Sequence, residues 1–469
     1  MPQGAMQGIA DVVISDKLLD FVRRRFQVPN HVIVGGLPKT QTLDIGWAAQ
    51  HVVEKSLDDG SKGSIASIDI EKYYDCIPLL LVSEFLVRSG CHPALIAAAL
   101  ALQMAPTISL NLLGCSVFVP FRSKGGLTGS RTAGVYGHAV IHDLVYSRAT
   151  HWLRWGWKIG SECMAVATWI DNIFTFANSA TDALAMACDC ESYLMSRWGL
   201  RIKASSRAIL VCKGGDISNI GPEWKLDKIL EVLGHKISYD AGIRIEWRHW
   251  RPILWKICWS NAAHRSTNRL PFDLRALLLS RTVLSAITWL FGRWPLQKSV
   301  SAELDQLQSR FLGILSKCRR DTHESLESWF KKRQRVGRAL AGKIGFWSDV
   351  WRKRVLDWEA HISRSDGRNH VHCKMRKWHD LDWLQDKRLQ FVSANGVSWG
   401  RNTPLAGRLG TRKASGQPQP RWGEGVALAH ELSTVRTQSA PHNSSGSSFL
   451  SVGSRIREAR SFLSRWLNP

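Results

Sequence analysis

The alternation of apolar and polar positions changes period repeatedly along the chain, and each change marks an element. About residues 14–58 read as two short helices around a turn, "VPNHVIVGGLPKT". "SIASID", from Ser64, is a short strand with a buried side carried by Ile65 and Ile68. Pro78 opens the next helix at its first turn and Gly90 closes it, and "HPALIAAALALQMA" is a second helix. "TISLNLLGCSVFVPF" is two apolar runs about a Leu113-Gly114 turn, a hairpin pattern. The glycine-rich "KGGLTGSRTAG" opens a long helix to about residue 155. "CMAVATWIDNIFTFAN" is two β-rich runs separated by Trp169-Ile170-Asp171-Asn172. A helix over about 181–198, then "LRIKASSRAILVC" and "KILEVLGHKISYD" as strands, complete the set.

That order predicts an α+β unit, a small antiparallel sheet with helices on one face. After Ile243 the pattern is helical, rich in Trp, Arg and Leu, to about residue 340. From Ser398 Gly, Ser, Pro and Arg accumulate as in linker or disordered chain, before a last basic segment, "SRIREARSFLSRWL", with amphipathic helical spacing.

Charge changes the picture. The 469 residues carry a formal net charge of +24, which calls for a polyanionic partner, nucleic acid first. No apolar run reaches the roughly 20 residues of a membrane span, so no membrane partner is expected. No charged-then-apolar leader opens the chain, and the ten cysteines are scattered without a CxxC pair. Both features point to the nucleus or cytoplasm rather than secretion. His370, His372, Cys373 and His379 have ligand chemistry, but their spacing fits no standard zinc pairing.

The chemistry concentrates at two strand ends. Asp69 ends the Ser64 strand and Asp171 sits at the tip of the later hairpin. In an antiparallel sheet the two lie side by side and repel unless a cation stands between them. Magnesium suits such a pair, taking a few carboxylate oxygens and filling its shell from water and phosphates. Two ions about 4 Å apart activate a hydroxyl and stabilise a leaving pyrophosphate.

Read together, these stretches resemble the reverse transcriptases of non-LTR retrotransposons, over roughly residues 30–330. "DIEKYYD" is similar to that family's Asp-x-x-x-x-(Phe/Tyr)-Asp motif, "GGLTGSRTAG" to its glycine-rich second motif, and "TWIDNIF" to its aromatic-Ala-Asp-Asp hairpin. "RWGLRIKASSRAIL" resembles the fourth motif, "EVLGHKI" the Leu-Gly hairpin that grips the primer, and "GGLPKTQTLDIGWAAQHVVEKS" the fingers segment before the first motif.

The resemblance implies a right-hand polymerase: partial fingers (1–62), an antiparallel-sheet palm (63–240), a helical thumb (241–340), a basic helical extension (341–397) and a Gly/Ser/Pro-rich tail (398–469). It implies RNA-directed DNA synthesis with two Mg2+ ions, manganese as substitute, and an RNA template, DNA primer and deoxynucleotides as partners. Asp69, Asp171 and Asn172 fall on the catalytic positions, with metal held by both aspartates and the Ile70 carbonyl. Tyr74 falls on the bulky position under the incoming sugar, where a ribose 2′-hydroxyl would clash; its ordinary role is a core tyrosine. Thr128, Gly129, Lys203 and Arg207 fall on the nucleotide-binding positions, and Gly126, Leu233 and Gly234 on template and primer contacts.

The sequence also departs from the pattern. Asn172 stands where the family has a second Asp, Thr128 where it has Gln, and Ser206 where it has Lys. The fingers shorten to "FVRRRF", around Arg23, Arg24 and Arg25, which read equally as a solvated face. An alternative reading is therefore open: a catalytically impaired relic that only binds nucleic acid. Trp247, Trp250, Trp255 and Trp259 alternate with Arg and Lys, as in single-strand-binding surfaces, although tryptophans at helical spacing are more often core.

Overall fold

The structure is a computed structural model that describes residues 5–363, apart from 59, 105–107, 113–114, 120–123, 128, 160–161, 265–268 and 295–296. In chain order its first half runs α1 (Ala5–Arg25), β1 (Val32–Gly35), α2 (Thr42–Asp58), β2 (Ser64–Asp69), α3 (Tyr73–Cys76), α4 (Leu79–Arg88), α5 (Pro93–Met104) and the hairpin β3 (Ile108–Leu112) and β4 (Cys115–Val119). Then come α6 (Arg131–Trp152), the short pair β5 (Trp157–Ile159) and β6 (Glu162–Met164), the hairpin β7 (Val166–Trp169) and β8 (Asn172–Ala177), α7 (Ala180–Trp198), β9 (Ala208–Val211), β10 (Lys225–Leu226) and the hairpin β11 (Ile229–Val232) and β12 (His235–Ser238). Helix α8 (Arg244–Ala263) leads into helices at Phe272–Leu279, Lys298–Leu315, Leu326–Ile344 and Trp347–Ser363.

Six strands form the central sheet in the order β1-β7-β8-β2-β9-β10. Its middle, β7-β8-β2-β9, is antiparallel as expected. The sheet as a whole is mixed, which corrects the antiparallel expectation: β1 runs parallel to β7 and β10 parallel to β9. The cause lies in "HVIVGG", assigned to a turn in the sequence reading. Val32, Ile33 and Val34 are fully buried, and a β-branched run of this kind gains more as a sheet strand than as a loop.

Helices cover both faces of the sheet rather than one. Alternate residues of each strand point into two separate apolar clusters. Ile33, Ile65, Phe174 and Leu210 join α2, α8 and the later helices. Val34, Ile68, Ile173 and Ile209 join α1, α4, α6 and α7. Near-continuous apolar runs such as "HVIVGG" and "AILVC" are the mark of a sheet buried on both sides. Among the described residues no helix is long and apolar enough to cross a membrane.

Candidate functional site

The pairing register brings the acidic strand ends together. Asp69, last in β2, lies directly opposite Asn172, first in β8. Asn172 in turn pairs with Trp169 across the hairpin, leaving Ile170 and Asp171 as the turn. The Ile70 amide donates to the Asp171 carbonyl (3.0 Å), which ties the turn to the end of β2. Asp69 is held by its own backbone: its amide donates to Ser206 Oγ (3.0 Å), and its carbonyl accepts from the Lys203 amide (2.9 Å).

The turn is strained. Ile170 has φ +58°, a left-handed conformation that costs a β-branched residue roughly 1–2 kcal/mol. The glycines at the end of β1 and just after it make room for it. A Cβ on Gly35 would sit 2.3 Å from the Trp169 ring, and one on Gly36 would sit 3.0 Å from Ile170 Cγ1. His138 Nε2 bonds to the Gly36 carbonyl (3.1 Å), and burial depresses the His138 pKa to about 4, so the ring is neutral and donates. Gly35, Gly36 and His138 thus brace the turn that carries Asp171.

Electrostatically the pair is incomplete. Asp69 Oδ1 is buried without a hydrogen-bond partner among the described residues. The Asp69 pKa is raised, first by burial and then by the charge of Asp171, with Lys203 opposing. Asp171 Oδ1 accepts a bond from Asn172 Nδ2 (3.0 Å). An orphaned carboxylate oxygen beside a second carboxylate is the donor set of a hard divalent cation, so the residues fit magnesium. Among the described residues no group of three or more His, Cys, Asp or Glu is placed to hold a metal.

Tyr73 and Tyr74 separate in role. Tyr73 is buried and donates to the Gly137 carbonyl (2.6 Å), a packing position. Tyr74 is half-buried, and its hydroxyl pKa is raised by burial and then by Asp171, so the hydroxyl lies in the field of that carboxylate. The glycine-rich segment is stitched to this turn. The Gly125 amide donates to the Ile77 carbonyl (2.9 Å) and the Gly126 amide to the Tyr74 carbonyl (2.8 Å). Gly125, at φ +85°, has the Asp75 carbonyl 2.9 Å from where a Cβ would stand. Gly129 is exposed at φ +93°, and Thr128 lies outside the described residues.

Asp11 of α1 secures the far end of that segment, a role the sequence did not announce. Its carboxylate accepts from Ser130 Oγ (2.9 Å) and from the Arg131 (2.8 Å) and Thr132 (3.0 Å) amides at the start of α6. Gln103 completes the brace, accepting from the Leu127 amide (2.9 Å) and donating to Ser130 Oγ (2.7 Å). Ser130 caps α6, accepting from the Ala133 amide, and nothing in "IADVV" points to a partner.

The remaining candidates divide. Lys203 is exposed and acts on Asp69 through its charge. Arg207 is ion-paired to Glu191 of α7. Leu233 (φ +52°) and Gly234 (φ +84°) form the tight β11–β12 turn, supported by Trp289, in a two-stranded sheet of its own. Arg24 pairs with Asp20, and Arg25 donates to the Ser89 carbonyl (3.1 Å). The His370, His372, Cys373 and His379 group lies outside the described residues.

No family model and no curated protein matches the chain. Among solved structures it is similar to telomerase from Candida tropicalis in complex with a TWJ fragment of telomeric RNA, at 10% identity and a TM-score of 0.39, covering 80% of this chain and 57% of that one. Telomerase from Candida albicans, in a complex with the same kind of fragment, gives 10% identity and a TM-score of 0.37 over 80% of this chain and 58% of that one. Apo telomerase from Candida tropicalis, truncated from the C-terminal domain, gives 10% and 0.35 over 49% and 43%. The chain spans about half the length of these structures, between 43% and 58%. At such scores the likeness carries no weight, and function has to rest on the chain's own geometry.

Proposed function

We propose that this chain carries out RNA-templated DNA synthesis by metal-assisted nucleotidyl transfer, as a polymerase of the non-LTR retrotransposon type. The observation that carries the proposal is the orphaned, buried Oδ1 of Asp69 beside Asp171 at two hydrogen-bonded strand ends. In this reading Asp69 and Asp171 hold the magnesium, which when bound supplies activation of the primer hydroxyl and stabilisation of the leaving pyrophosphate. The chain's own residues do the positioning. Ser206 and Lys203 fix the Asp69 backbone, and Gly35, Gly36 and His138 fix the turn of Asp171. Tyr74 lies under the incoming sugar, and the glycine-rich segment, clamped by Asp11 and Gln103, lines the nucleotide. The +24 charge holds template and primer phosphates. The test is primer extension on an RNA template with magnesium, then manganese; no product with either ion would sink the proposal.

If Tyr74 gates the sugar, Tyr74→Val admits ribonucleotides, because the ring that meets the 2′-hydroxyl is gone. The ratio of ribo- to deoxynucleotide incorporation should rise by about tenfold or more, the effect of a steric cost above roughly 1.4 kcal/mol. An unchanged ratio would return Tyr74 to a packing role.

A second reading, nucleic-acid binding without catalysis, is favoured by one contact: the Asn172 amide occupies an oxygen of Asp171. Asn172→Asp separates the readings. It replaces that hydrogen bond with a third negative charge beside Asp69 and Asp171. Without metal the variant should melt earlier, by about 1–2 kcal/mol of stability. With a working site, magnesium should restore the melt, raise extension and lower the ion concentration required. A variant that stays destabilised in magnesium and inactive would establish the binding-only reading.

A further inference from the structure

Helix α8 divides its tryptophans between two faces. Ile243, Trp247, Leu254 and Cys258 are buried at helical spacing, and Trp247 donates to Glu303 (2.7 Å). The opposite stripe, Arg248, Pro252, Trp255 and Trp259, recurs at steps of four, three and four residues and therefore lies along one side of the helix. Trp259 is 51% exposed, and its ring lies on that of Trp255 (centroids 6.2 Å apart, planes 21° apart). Trp255 is fixed from below by an edge contact with Phe311 at 4.5 Å. An exposed indole backed by a second indole is a rigid aromatic surface, and burial in a core does not account for it.

Cations flank the stripe. Arg248 and Lys256 are exposed and have no ion-pair partner among the described residues, while Arg251 reaches Glu303 at 3.7 Å and remains half-exposed. No acid lies on the exposed part of α8, since its one acid, Glu246, is buried. A protein partner's apolar groove would not need this charge; a strand of nucleic acid, with a π-face on every base and a phosphate for every cation, matches both features.

We propose that the Trp255–Trp259 face of α8 is a stacking site for single-stranded nucleic acid, with Arg248 and Lys256 on the adjoining phosphates. The site stands on α8 alone and does not depend on catalysis by Asp69 and Asp171.

The test uses the full chain with labelled oligo(U), oligo(dT) and an abasic strand of equal length. Trp259→Ala should weaken oligo(U) and oligo(dT) binding about tenfold, the equivalent of about 1.4 kcal/mol. Binding of the abasic strand should not change, and Trp259→Phe should recover most of the loss. Arg248→Gln with Lys256→Gln should lower the slope of log affinity against log salt by about 1.4, or roughly 0.7 for each lost contact. Equal oligo(U) affinity in wild type and Trp259→Ala, with matching melting curves, would overturn the site. So would a loss of equal size on the abasic strand. A change in self-association with nucleic-acid binding intact would also overturn it and make the face a protein interface. Absence of primer extension bears only on the acids, so the two readings fail separately.

Discussion

If the chain polymerises as proposed, Asp69→Asn and Asp171→Asn should each abolish primer extension, by about a thousandfold or more, and leave nucleic-acid affinity nearly unchanged. In the proposed reaction, several kcal/mol of transition-state stabilisation would depend on the two carboxylates together holding the cation. Affinity depends on phosphate contacts made elsewhere by a chain of net charge +24. A second readout comes from the folded protein itself. Burial and Asp171 raise the Asp69 pKa, so its ionised form is less favourable in the fold than in the unfolded chain. For an acid whose pKa rises on folding, the penalty is absent below the unfolded value and fully present above the folded one. Asp69→Asn should therefore raise the melting temperature at neutral pH in metal-free buffer, while magnesium should stabilise only the wild type. Retained extension, or a magnesium-dependent melt in either variant, would remove the metal from this pair.

The acids could be found from sequence because their positions follow from local rules. Ile65 and Ile68 mark β2, Trp169 to Asn172 mark a hairpin tip, and antiparallel pairing brings the two ends together. The supports of the site come from distant parts of the chain, and no local pattern announces them. Asp11 lies at the start of the described chain and binds the start of α6; Ser206 holds Asp69 although it stands where the related pattern has Lys. Gly35 ends a strand assigned to a turn, and Gly36 follows it directly. Their purpose shows only when Trp169 and Ile170 are seen to lie on them. The same limit explains the sheet. Period-two alternation shows that a strand has two faces, but parallel pairing of β1 with β7 depends on a crossover the pattern does not encode. Trp247 and Trp259 have the same residue type and the same basic surroundings, and only packing separated the core residue from the exposed one.

The largest stability effect is expected far from the acids, at Glu246→Ala, which should cost about 3–5 kcal/mol. Glu246 and Arg293 form an ion pair in which both side chains are 0% exposed. Glu246 also accepts from the Lys236 amide (3.0 Å) and the Trp294 indole, and Arg293 donates to Gln50 Oε1 (2.8 Å). One carboxylate thus joins β12, α8 and the Trp294 turn, and Arg293 adds α2. Removing it leaves a buried guanidinium, a buried indole and a part-buried amide without that acceptor. The loss would reach the sheet, because Ile33, Phe174 and Leu210 belong to the same apolar cluster as Leu254 and Trp294. Charge burial and lost hydrogen bonds are separable. Glu246→Met with Arg293→Met removes both charges and keeps the volume, so it should recover about half of the loss. The remainder is the Trp294 indole and the Lys236 amide, still without an acceptor. Urea melts of the three proteins decide the point. A Glu246→Ala variant within about 1 kcal/mol of wild type would mean the pair contributes little, and a double variant no better than the single would place the whole cost in the hydrogen bonds.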